Sequence, residues 1–549
     1  MTMKIFEPKF FAGLKKTNGK QLAGDVVAGV IVAIIALPLS IALAIASGVS
    51  PEKGLYTAIV AGFVIALLGG SNVNISGPTA AFATIVAGIV AQFGTSGLVL
   101  ATIMAGIMLV LMGLLRFGSL IKYIPYTITT GFTSGIAVTI VIGQIKDFLG
   151  LTFAPGTHAI ESLEKLEAVV RSIHTFNPQA LAVGLVGLAI LIVWPKINKK
   201  IPGSLVAVVV GVVMVKVLGM QVNTIGDLYT ISRQLPSFAL PKLNFEAVKL
   251  LIPSAFTIAI LAGIESLLSC VVSDGMIGDR HNSNTELIAQ GVGNICSGLF
   301  GGIPATGAIA RTAANVKNGG RTPVAGMVHA LVLLLVLVVL MPYAAWIPMP
   351  IIAAILFMVA YNMSEWRQFV SICKTATKSD ILVLVVTFGL TVVFDLVVAI
   401  EVGMLIAMLL FMKRMADVTH LRTWTQADEF SSKDAGRLKK IPAHTAVFEI
   451  NGPMFFASSD KFSAIPIKDD TKVIVLRMRN VPTIDISALR TMKAILSFCR
   501  ENGVTLLLSH VNEQPLGVMQ KAGFYAELGS QNFMENIDAA LARAEELCK

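Results

Sequence analysis

Charged side chains are scarce in this sequence, since Asp, Glu, Lys and Arg make up 14% of its 549 residues and hydrophobic residues make up 55%. A soluble chain of this length needs far more charge to cover its surface, so the bilayer is its main solvent. Cysteine is also rare, and the five residues are odd in number and scattered, which indicates free thiols. The net charge of +10 does not indicate a nucleic-acid partner, because the basic residues fall in short loops between apolar runs.

Several kinds of chemistry have no basis in the sequence. Residues 1–20 are basic and lack an apolar stretch before a cleavage site, so we expect no cleavable signal peptide. His158, His174 and His281 do not have the spacing of metal ligands. No nucleophile is paired with a base, and no loop has the pattern that cradles phosphate. We therefore predict no enzyme activity, no catalytic residues, no metal and no cofactor.

Apolar runs of about the length that crosses a hydrocarbon core recur along most of the chain. They predict fourteen membrane segments, two of them short, at 25–46, 54–69, 79–93, 97–115, 126–147, 179–195, 203–219, 250–273, 286–300, 307–316, 323–341, 344–361, 380–396 and 399–415. An even number places both termini on one side, and the basic residues 1–24 and Lys413–Arg414 identify that side as the cytoplasm. Basic loops follow every even-numbered segment, which supports the count. We expect a multi-pass protein of the cell inner membrane, in contact with its lipids.

Two of these segments are interrupted by Gly and Pro, around Pro78 and around Pro304. Pro78 follows Pro38 by 40 positions and Pro304 follows Glu265 by 39, so landmarks in the two halves match. Seven segments per half is an odd number, and the second half must then insert upside down, as an inverted repeat.

Such interruptions have a consequence for the ligand, because non-helical backbone at membrane depth survives only against protein or a water-filled cavity. Half-helices that begin near Thr79 and near Ala305 would direct two N-terminal ends at the midplane, where an anion is stabilised. The alternative is that both Gly-Pro pairs only kink ordinary spans.

Two charged residues lie where charge is costly. A carboxylate such as Glu265, inside the apolar stretch 258–269, costs about 2.5–3.5 kcal/mol and usually faces a cavity. Burial disfavours its charged form, so Glu265 is a candidate proton site, the alternative being a bond to a neighbouring helix. Ser269, one turn on, is either a further ligand or bonded to its own helix. Arg311, about two turns into the second half-helix, either adds positive charge to the anion pocket, which we favour, or reaches the loop near Lys317.

The composition changes after Met415. We predict a cytoplasmic N-terminal segment at 1–24, a membrane domain at 25–415 and a charged linker at 416–440. The pattern of alternating strands and helices predicts a small cytoplasmic α/β domain at 441–549. Asp485 or Ser487 is placed to cap a helix that starts there. Ser487 is alternatively a phosphorylation or partner-docking point, because added negative charge is favourable at a helix N-terminus.

Short motifs along the chain carry a family resemblance: Pro38 with Ser47–Pro51 and Gly54–Tyr56, then Ser76–Thr79, Gly131–Gly135, Ile264–Leu268 and Ala310–Asn315, and in the tail Gly452–Phe456 and Asp485–Ser487. Over nearly its whole length the chain resembles the SulP/SLC26 anion transporters with a C-terminal STAS domain. The sequence around Glu265 is most similar to that of bacterial members described as C4-dicarboxylate transporters.

The resemblance implies a polytopic α-helical fold of two seven-segment inverted repeats, divided into core and gate, that forms a homodimer and moves its core like an elevator. It implies a substrate site between the third and tenth segments at Thr79 and Ala308, beside Arg311, and a coupling-ion site at Glu265, Ser269, Gly307 and Ile309. Sodium-coupled bicarbonate members have Asp in place of Glu265 and Thr in place of Ser269 and Ile309, so the missing hydroxyls favour a proton. Leu39, where many eukaryotic sulfate transporters have Gln, makes sulfate less secure.

These interpretations together predict a secondary active transporter that imports a small anion, with a C4-dicarboxylate and proton symport as the first choice. The STAS domain would serve assembly or regulation and bind a cytoplasmic partner. Alternatives are a sulfate or bicarbonate transporter coupled to Na⁺ or H⁺, an uncoupled anion exchanger or channel, a nucleobase–proton symporter, and a membrane anchor or sensor for the STAS domain.

Overall fold

The computed structural model describes residues 6–13, 18–119, 125–154, 159, 161–198, 201–241, 245–394, 396–424, 441–463 and 470–549. These residues belong to two compact units, Met1–Met404 and Leu405–Lys549. The helices are α1 Lys9–Gly13, α2 Gly19–Ala46, α3 Pro51–Leu68, α4 Ala83–Leu114, α5 Tyr126–Leu149, α6 Ser162–Arg171, α7 Pro178–Ile197, α8 Gly203–Leu218, α9 Ile225–Leu228, α10 Phe245–Ile277, α11 Ser283–Leu299, α12 Ile309–Lys317, α13 Val324–Ala344, α14 Met349–Met363, α15 Trp366–Thr375, α16 Lys378–Val393, α17 Leu396–Val418, α18 Asp460–Ser463, α19 Ile486–Glu501, α20 Glu513–Lys521, α21 Phe524–Leu528 and α22 Ile537–Cys548. The strands are β1 Ser76–Gly77, β2 Thr306–Gly307, β3 His420–Trp424, β4 Thr445–Asn451, β5 Val473–Asn480, β6 Thr505–Ser509 and β7 Phe533–Met534.

Every predicted membrane segment overlaps a helix, and several of them, 307–316 and 344–361 included, begin before the helix that they predict. Among the described residues, eight helical stretches are long and apolar enough to cross a membrane: Gly19–Ala46, Pro51–Leu68, Ala80–Leu114, Tyr126–Leu149, Pro178–Ile197, Phe245–Ile277, Val324–Ala344 and Met349–Thr375. The third and fourth predicted segments are the two parts of α4, separated at Gly94, whose φ of 67° and ψ of −172° are not helical. Glycine occupies this left-handed region without a Cβ clash, so the chain can turn between the two parts.

The membrane helices pack in two groups. One contains α2, α3, α4, α10, α11, α12 and α13, and the other contains α5, α7, α8, α14 and α16. The first group combines predicted segments one to four with eight to eleven, and the second takes its helices from five to seven and from twelve onward. Each group thus takes helices from both halves of the chain, which is the arrangement that an inverted repeat produces. The core-and-gate prediction is confirmed.

Glycine allows close helix contact between α4 and α11 in the first group. A Cβ built on Gly106 of α4 would lie 2.6 Å from the carbonyl oxygen of Gly291 of α11, and one built on Gly291 would lie 2.5 Å from the oxygen of Gly106. Small residues at such positions let helix backbones approach in membrane proteins.

The two predicted interruptions are present, and they meet. β1 pairs with β2 in antiparallel orientation, with Ser76 opposite Gly307 and Gly77 opposite Thr306. This pairing also corrects one prediction, because the second half-helix begins at Ile309 and not near Ala305. Residues just before Ile309 belong to β2 and not to the helix. Arg311 therefore lies in the first turn of α12 and not two turns into it.

The backbone of the second interruption is satisfied from neighbouring elements, as membrane depth requires. Asn294 of α11 holds Ala305 on both sides, because its Oδ1 accepts from the Ala305 N–H at 2.8 Å and its Nδ2 donates to the Ala305 carbonyl at 2.9 Å. The hydroxyl of Thr306 donates to the carbonyl of Ala262 on α10 at 2.8 Å. These bonds fix the start of α12 against the first helix group.

The C-terminal unit contains a five-stranded sheet in the order β3-β4-β5-β6-β7. β3 runs antiparallel to β4, and the remaining neighbours are parallel. Buried apolar residues from α19 pack on one face and residues from α22 pack on the other, so the predicted α/β architecture is present. β3 lies inside the segment interpreted as a linker, and residues 425–440 of that segment lie outside the described part of the chain.

Candidate functional site

A cavity of about 330 Å³ lies where α4 and α12 begin. Both helix groups line it. The first group contributes Leu39, Leu43, Pro78, Thr79, Ala80, Ala81, Leu261, Ile264, Glu265, Leu268, Ala308, Ile309, Ala310 and Arg311. The second contributes Phe132, Thr133, Val359, Asn362 and Met363, and Glu365 follows in the link to α15. The cavity is mostly apolar with a few polar groups, the usual composition of a small-molecule site.

Two helix starts face this cavity without a side-chain cap. Thr79 is the N-cap of a 3₁₀ turn, Ala80–Phe82, that leads into α4, and Ala308 is the N-cap of α12. Neither residue caps its helix with a side chain. The first N–H groups of a helix have no intrahelical partner and carry partial positive charge. Two uncapped starts at one cavity therefore favour an anionic ligand.

The hydroxyl of Thr79 is directed at a carboxylate of another helix. It donates to Oε2 of Glu265 on α10 at 2.9 Å. Thr79 is buried and Glu265 is partly exposed to the cavity. One hydrogen bond thus connects a residue predicted to touch the anion with the residue predicted to carry the coupling ion.

Arg311 brings a full positive charge to the same place. Its side chain is 2% exposed, and Nη2 donates to the carbonyl oxygen of Pro78 at 2.5 Å. Its Nε and Nη1 have no hydrogen-bond partner among the described residues. The side chain lines the cavity and does not extend to the loop near Lys317.

The predicted coupling-ion residues are not all brought together. Ile309 lines the cavity beside Glu265 and is 39% exposed. Ser269 faces another direction, and its hydroxyl donates to Oδ1 of Asn74 at 2.7 Å, not to its own helix. Gly307 also packs against Asn74, since a Cβ built there would lie 2.6 Å from the Asn74 amide nitrogen. Neither Ser269 nor Gly307 lines the cavity.

A buried carboxylate near the paired interruptions, Glu286 of α11, escaped the sequence analysis. It is 1% exposed, and its Oε1 accepts from the Asn74 amide at 2.8 Å and the Ser266 hydroxyl at 3.1 Å. Its Oε2 accepts from the Gly70 N–H at 2.9 Å. Glu286 is the first residue of the predicted segment 286–300, and solvation at the membrane interface would explain a charged residue there. The available signal was Gln290, one turn on and followed by Asn294, which are polar residues inside a predicted membrane segment.

In the C-terminal unit the structure separates the two residues considered for the helix start. Asp485 is the N-cap of α19, and its Oδ1 accepts from the Ala488 N–H at 2.8 Å. Its Oδ2 accepts from the Phe456 N–H at 2.9 Å, which ties the preceding loop to the helix. Ser487 is the second residue of α19 and is half-buried.

Comparison with known families gives two matches along the chain. Residues 22–387 match the model of the sulfate permease family, and residues 437–540 match that of the STAS domain. The chain belongs to the sulfate permease family. It is a multi-pass membrane protein with a C-terminal STAS domain, as the resemblance implied.

Relatives within the sulfate permease family are described as transporters of different anions. The chain is 39% identical to YvdB of Bacillus subtilis, a candidate sulfate transporter, over 96% of this chain and 99% of that protein. It is 34% identical to the bicarbonate transporter BicA of a Picosynechococcus strain, over 80% of each protein. Membership in the sulfate permease family thus establishes anion transport and leaves the particular anion open.

Solved structures agree with the architecture. The transmembrane domain of a cyanobacterial bicarbonate transporter BicA superimposes with a TM-score of 0.63 at 32% identity, covering 70% of this chain and 98% of that one. The murine anion transporter Slc26a9, in its inward-facing state, gives a TM-score of 0.88 at 19% identity, covering 98% of this chain and 94% of that one. The latter likeness concerns the fold alone.

Proposed function

We propose that this protein is a secondary active transporter that imports a small oxyanion, sulfate or bicarbonate, in symport with a proton carried by Glu265. The observation that carries the proposal is the hydrogen bond from the Thr79 hydroxyl to the Glu265 carboxylate. It lies in the cavity where two helices begin without a side-chain cap. The cation site and the anion site share this contact, so the occupancy of one affects the other. The relatives described above are transporters, and we propose no enzyme activity.

The arrangement of charges supports proton coupling. Arg311 is a buried cation, and Glu265 lines the same cavity. An ionised Glu265 would oppose an entering anion in a medium of low dielectric, whereas a protonated one would not. Binding of the anion and of the proton would therefore favour each other, and such coupling is reciprocal.

The choice of oxyanion follows the relatives, which are named for sulfate and bicarbonate. The C4-dicarboxylate expected from the sequence stays a prediction, because no relative reported above is named for that substrate. Labelled sulfate, bicarbonate and succinate, offered to the same proteoliposomes, separate these substrates. Protein-free vesicles correct the bicarbonate signal for permeation of carbon dioxide.

The coupling ion is tested with imposed gradients in these proteoliposomes. A proton gradient should drive the accepted anion above its equilibrium level, and a sodium gradient should not. Glu265→Gln should abolish this accumulation while it leaves the yield and the monodispersity of the purified protein unchanged. Glu401→Gln, which removes an exposed carboxylate outside the cavity, is the matched control. Unchanged concentrative uptake by Glu265→Gln would refute the coupling role.

The same experiment separates the other candidates. Anion exchange that no proton or sodium gradient drives would indicate an uncoupled exchanger or channel. Uptake of a neutral nucleobase without competition from anions would indicate a nucleobase symporter. Absence of any flux would support a membrane anchor or sensor for the STAS domain.

Orientation and assembly are further parts of the proposal. We propose that both termini are cytoplasmic, that the protein lies in the cell inner membrane, and that it forms a homodimer. The domain boundaries at 415 and 440 belong to this scheme, with Ser487 of the STAS domain as a modification or docking point. Accessibility of Cys548 to an impermeant maleimide in intact cells and inverted vesicles tests the orientation of the C-terminus.

A further inference from the structure

Glu365 brings a third ionisable group to the anion cavity, and the proposed transport cycle does not use it. It lies between α14 and α15, lines the cavity from the side of the second helix group, and is exposed. A carboxylate on the wall of an anion site requires an explanation, because it opposes the ligand.

The position of Glu365 is fixed by its surroundings. Its backbone is left-handed, with φ of 42° and ψ of 37°, a conformation that residues other than glycine seldom adopt. The preceding carbonyl, that of Ser364, accepts a hydrogen bond from the Ser134 hydroxyl on α5 at 2.6 Å. Such backbone strain persists where the surrounding structure determines it, and it is common at ligand sites.

The carboxylate of Glu365 is not neutralised by a cation within the described part of the chain. The hydroxyl of Tyr126 donates a long hydrogen bond to its Oε2 at 3.5 Å. Among the residues that line the cavity, Arg311 is the cation, and Glu265 and Glu365 are the carboxylates. With Glu265 protonated, as the proposed function requires, Arg311 and Glu365 balance each other.

Coulomb energy is proportional to the charge of the ligand, so Glu365 opposes a divalent anion twice as strongly as a monovalent one at the same position. We propose that Glu365 is a specificity-determining residue that makes this site prefer monovalent anions. The proposal rests on the proposed function and deepens it, since it assigns the cavity to an anion of bicarbonate type ahead of sulfate or a dicarboxylate.

The test uses two anions of one shape and different charge, sulfate and perchlorate, both tetrahedral. Their affinities for the purified full-length protein are measured by calorimetry for the wild type and for Glu365→Gln. Removal of the charge should tighten perchlorate binding about threefold and sulfate binding about tenfold, because the electrostatic energy doubles with the ligand charge. Glu365→Asp should keep the wild-type preference, and Glu365→Lys should move it further toward sulfate.

The control removes the same charge elsewhere, and Glu401→Gln should leave the ratio of the two affinities unchanged. Equal factors for sulfate and perchlorate in Glu365→Gln, or unchanged affinities for both, would overturn the valence filter while transport itself stands. A wild-type protein that neither binds nor transports any anion would instead overturn the proposed function, and this inference with it.

Discussion

Gly77 offers a way to move Arg311 without changing any charge. Gly77 is the second residue of β1, and a Cβ built on it would lie 2.6 Å from Nη1 of Arg311 and 3.4 Å from its Cζ. The other near atom, Cα of Ala58, is 3.5 Å away, which is an ordinary contact. In Gly77→Ala, the guanidinium is therefore the group that must shift.

The size of the effect follows from the hydrogen bond that the displaced guanidinium would lose to the anion. An ordinary contact with the new methyl group requires a displacement of about 0.8 Å, which stretches the 2.5 Å bond from Nη2 to the Pro78 carbonyl to about 3.3 Å at most and moves the guanidinium from its place at the cavity. A hydrogen bond to a charged group contributes about 1.5–3 kcal/mol. If the displaced guanidinium no longer serves the anion, affinity should fall by about tenfold or more, since about 1.4 kcal/mol corresponds to a factor of ten.

The assay is the affinity for the transported anion, measured in the wild type, Gly77→Ala, Arg311→Ala and the double variant. In the Arg311→Ala background, Gly77→Ala should have no further effect, because the group it displaces is absent. Gly88→Ala on α4 is the control, since a Cβ there meets no atom within 4 Å. Wild-type affinity in Gly77→Ala, or an equal loss in both backgrounds, would refute the reasoning.

Three further predictions concern single contacts. Arg311→Ala should weaken anion affinity in transport assays, and unaltered affinity would remove Arg311 from the substrate site. Asp485→Ala should destabilise the STAS domain by about 1–2 kcal/mol, because the cap of α19 is lost, and hydrogen exchange at Phe456 should rise in parallel. Although partial burial favours its neutral form, the backbone N–H of the next residue and Lys9 hold the pKa of Asp279 below its ordinary value. The stability that ionised Asp279 adds to the folded state is thus present above about pH 4 and is lost as the pH falls through the lowered pKa. Asp279→Asn should release the segment around Lys9 at neutral pH, as seen by limited proteolysis, and equal cleavage rates would contradict this.

Three of the residues that the sequence identified share one property, which is that each is unusual for its place in a membrane segment. Pro78 and Pro304 interrupt apolar runs, and Glu265 is a charge among aliphatic residues. A membrane makes such exceptions costly, so a single residue carries a strong signal. The interruptions are present in the structure, and Glu265 lies in the cavity between the half-helices.

Contacts between distant parts of the chain could not be predicted in this way. The start of α12 depends on the pairing of β1 with β2, whose residues are more than two hundred positions apart. The sequence predicts a helix-compatible run after Pro304. It does not show which residues of that run form a strand and which form the helix. Glu365 follows the same rule, because a loop carboxylate has no periodicity that would place it on a cavity wall.

The paired interruptions have two sides, a rear formed by Asn74 and the residues that it contacts, and a front that faces the cavity. The hydrogen bonds of the rear explain why the front remains open to a ligand. Asn74 lies at the centre of the rear, where its Nδ2 donates to Glu286 and its Oδ1 accepts from Ser269 and from Thr312 at 3.0 Å. The Thr312 hydroxyl in turn accepts from the Ile75 N–H at 3.0 Å. These bonds hold α12 against the residues that lead into the first half-helix, so the two helix starts keep their positions.

The front has the opposite character. Both helix starts lack a side-chain cap, and two of the donor nitrogens of Arg311 have no hydrogen-bond partner in the described part of the chain. Buried donors are costly when they stay unpaired, so the site is most stable when a group with several acceptor atoms occupies it. An oxyanion supplies such atoms together with negative charge. The bonded rear and the uncapped front therefore act together, since the first holds the donors in place and the second leaves them for the substrate.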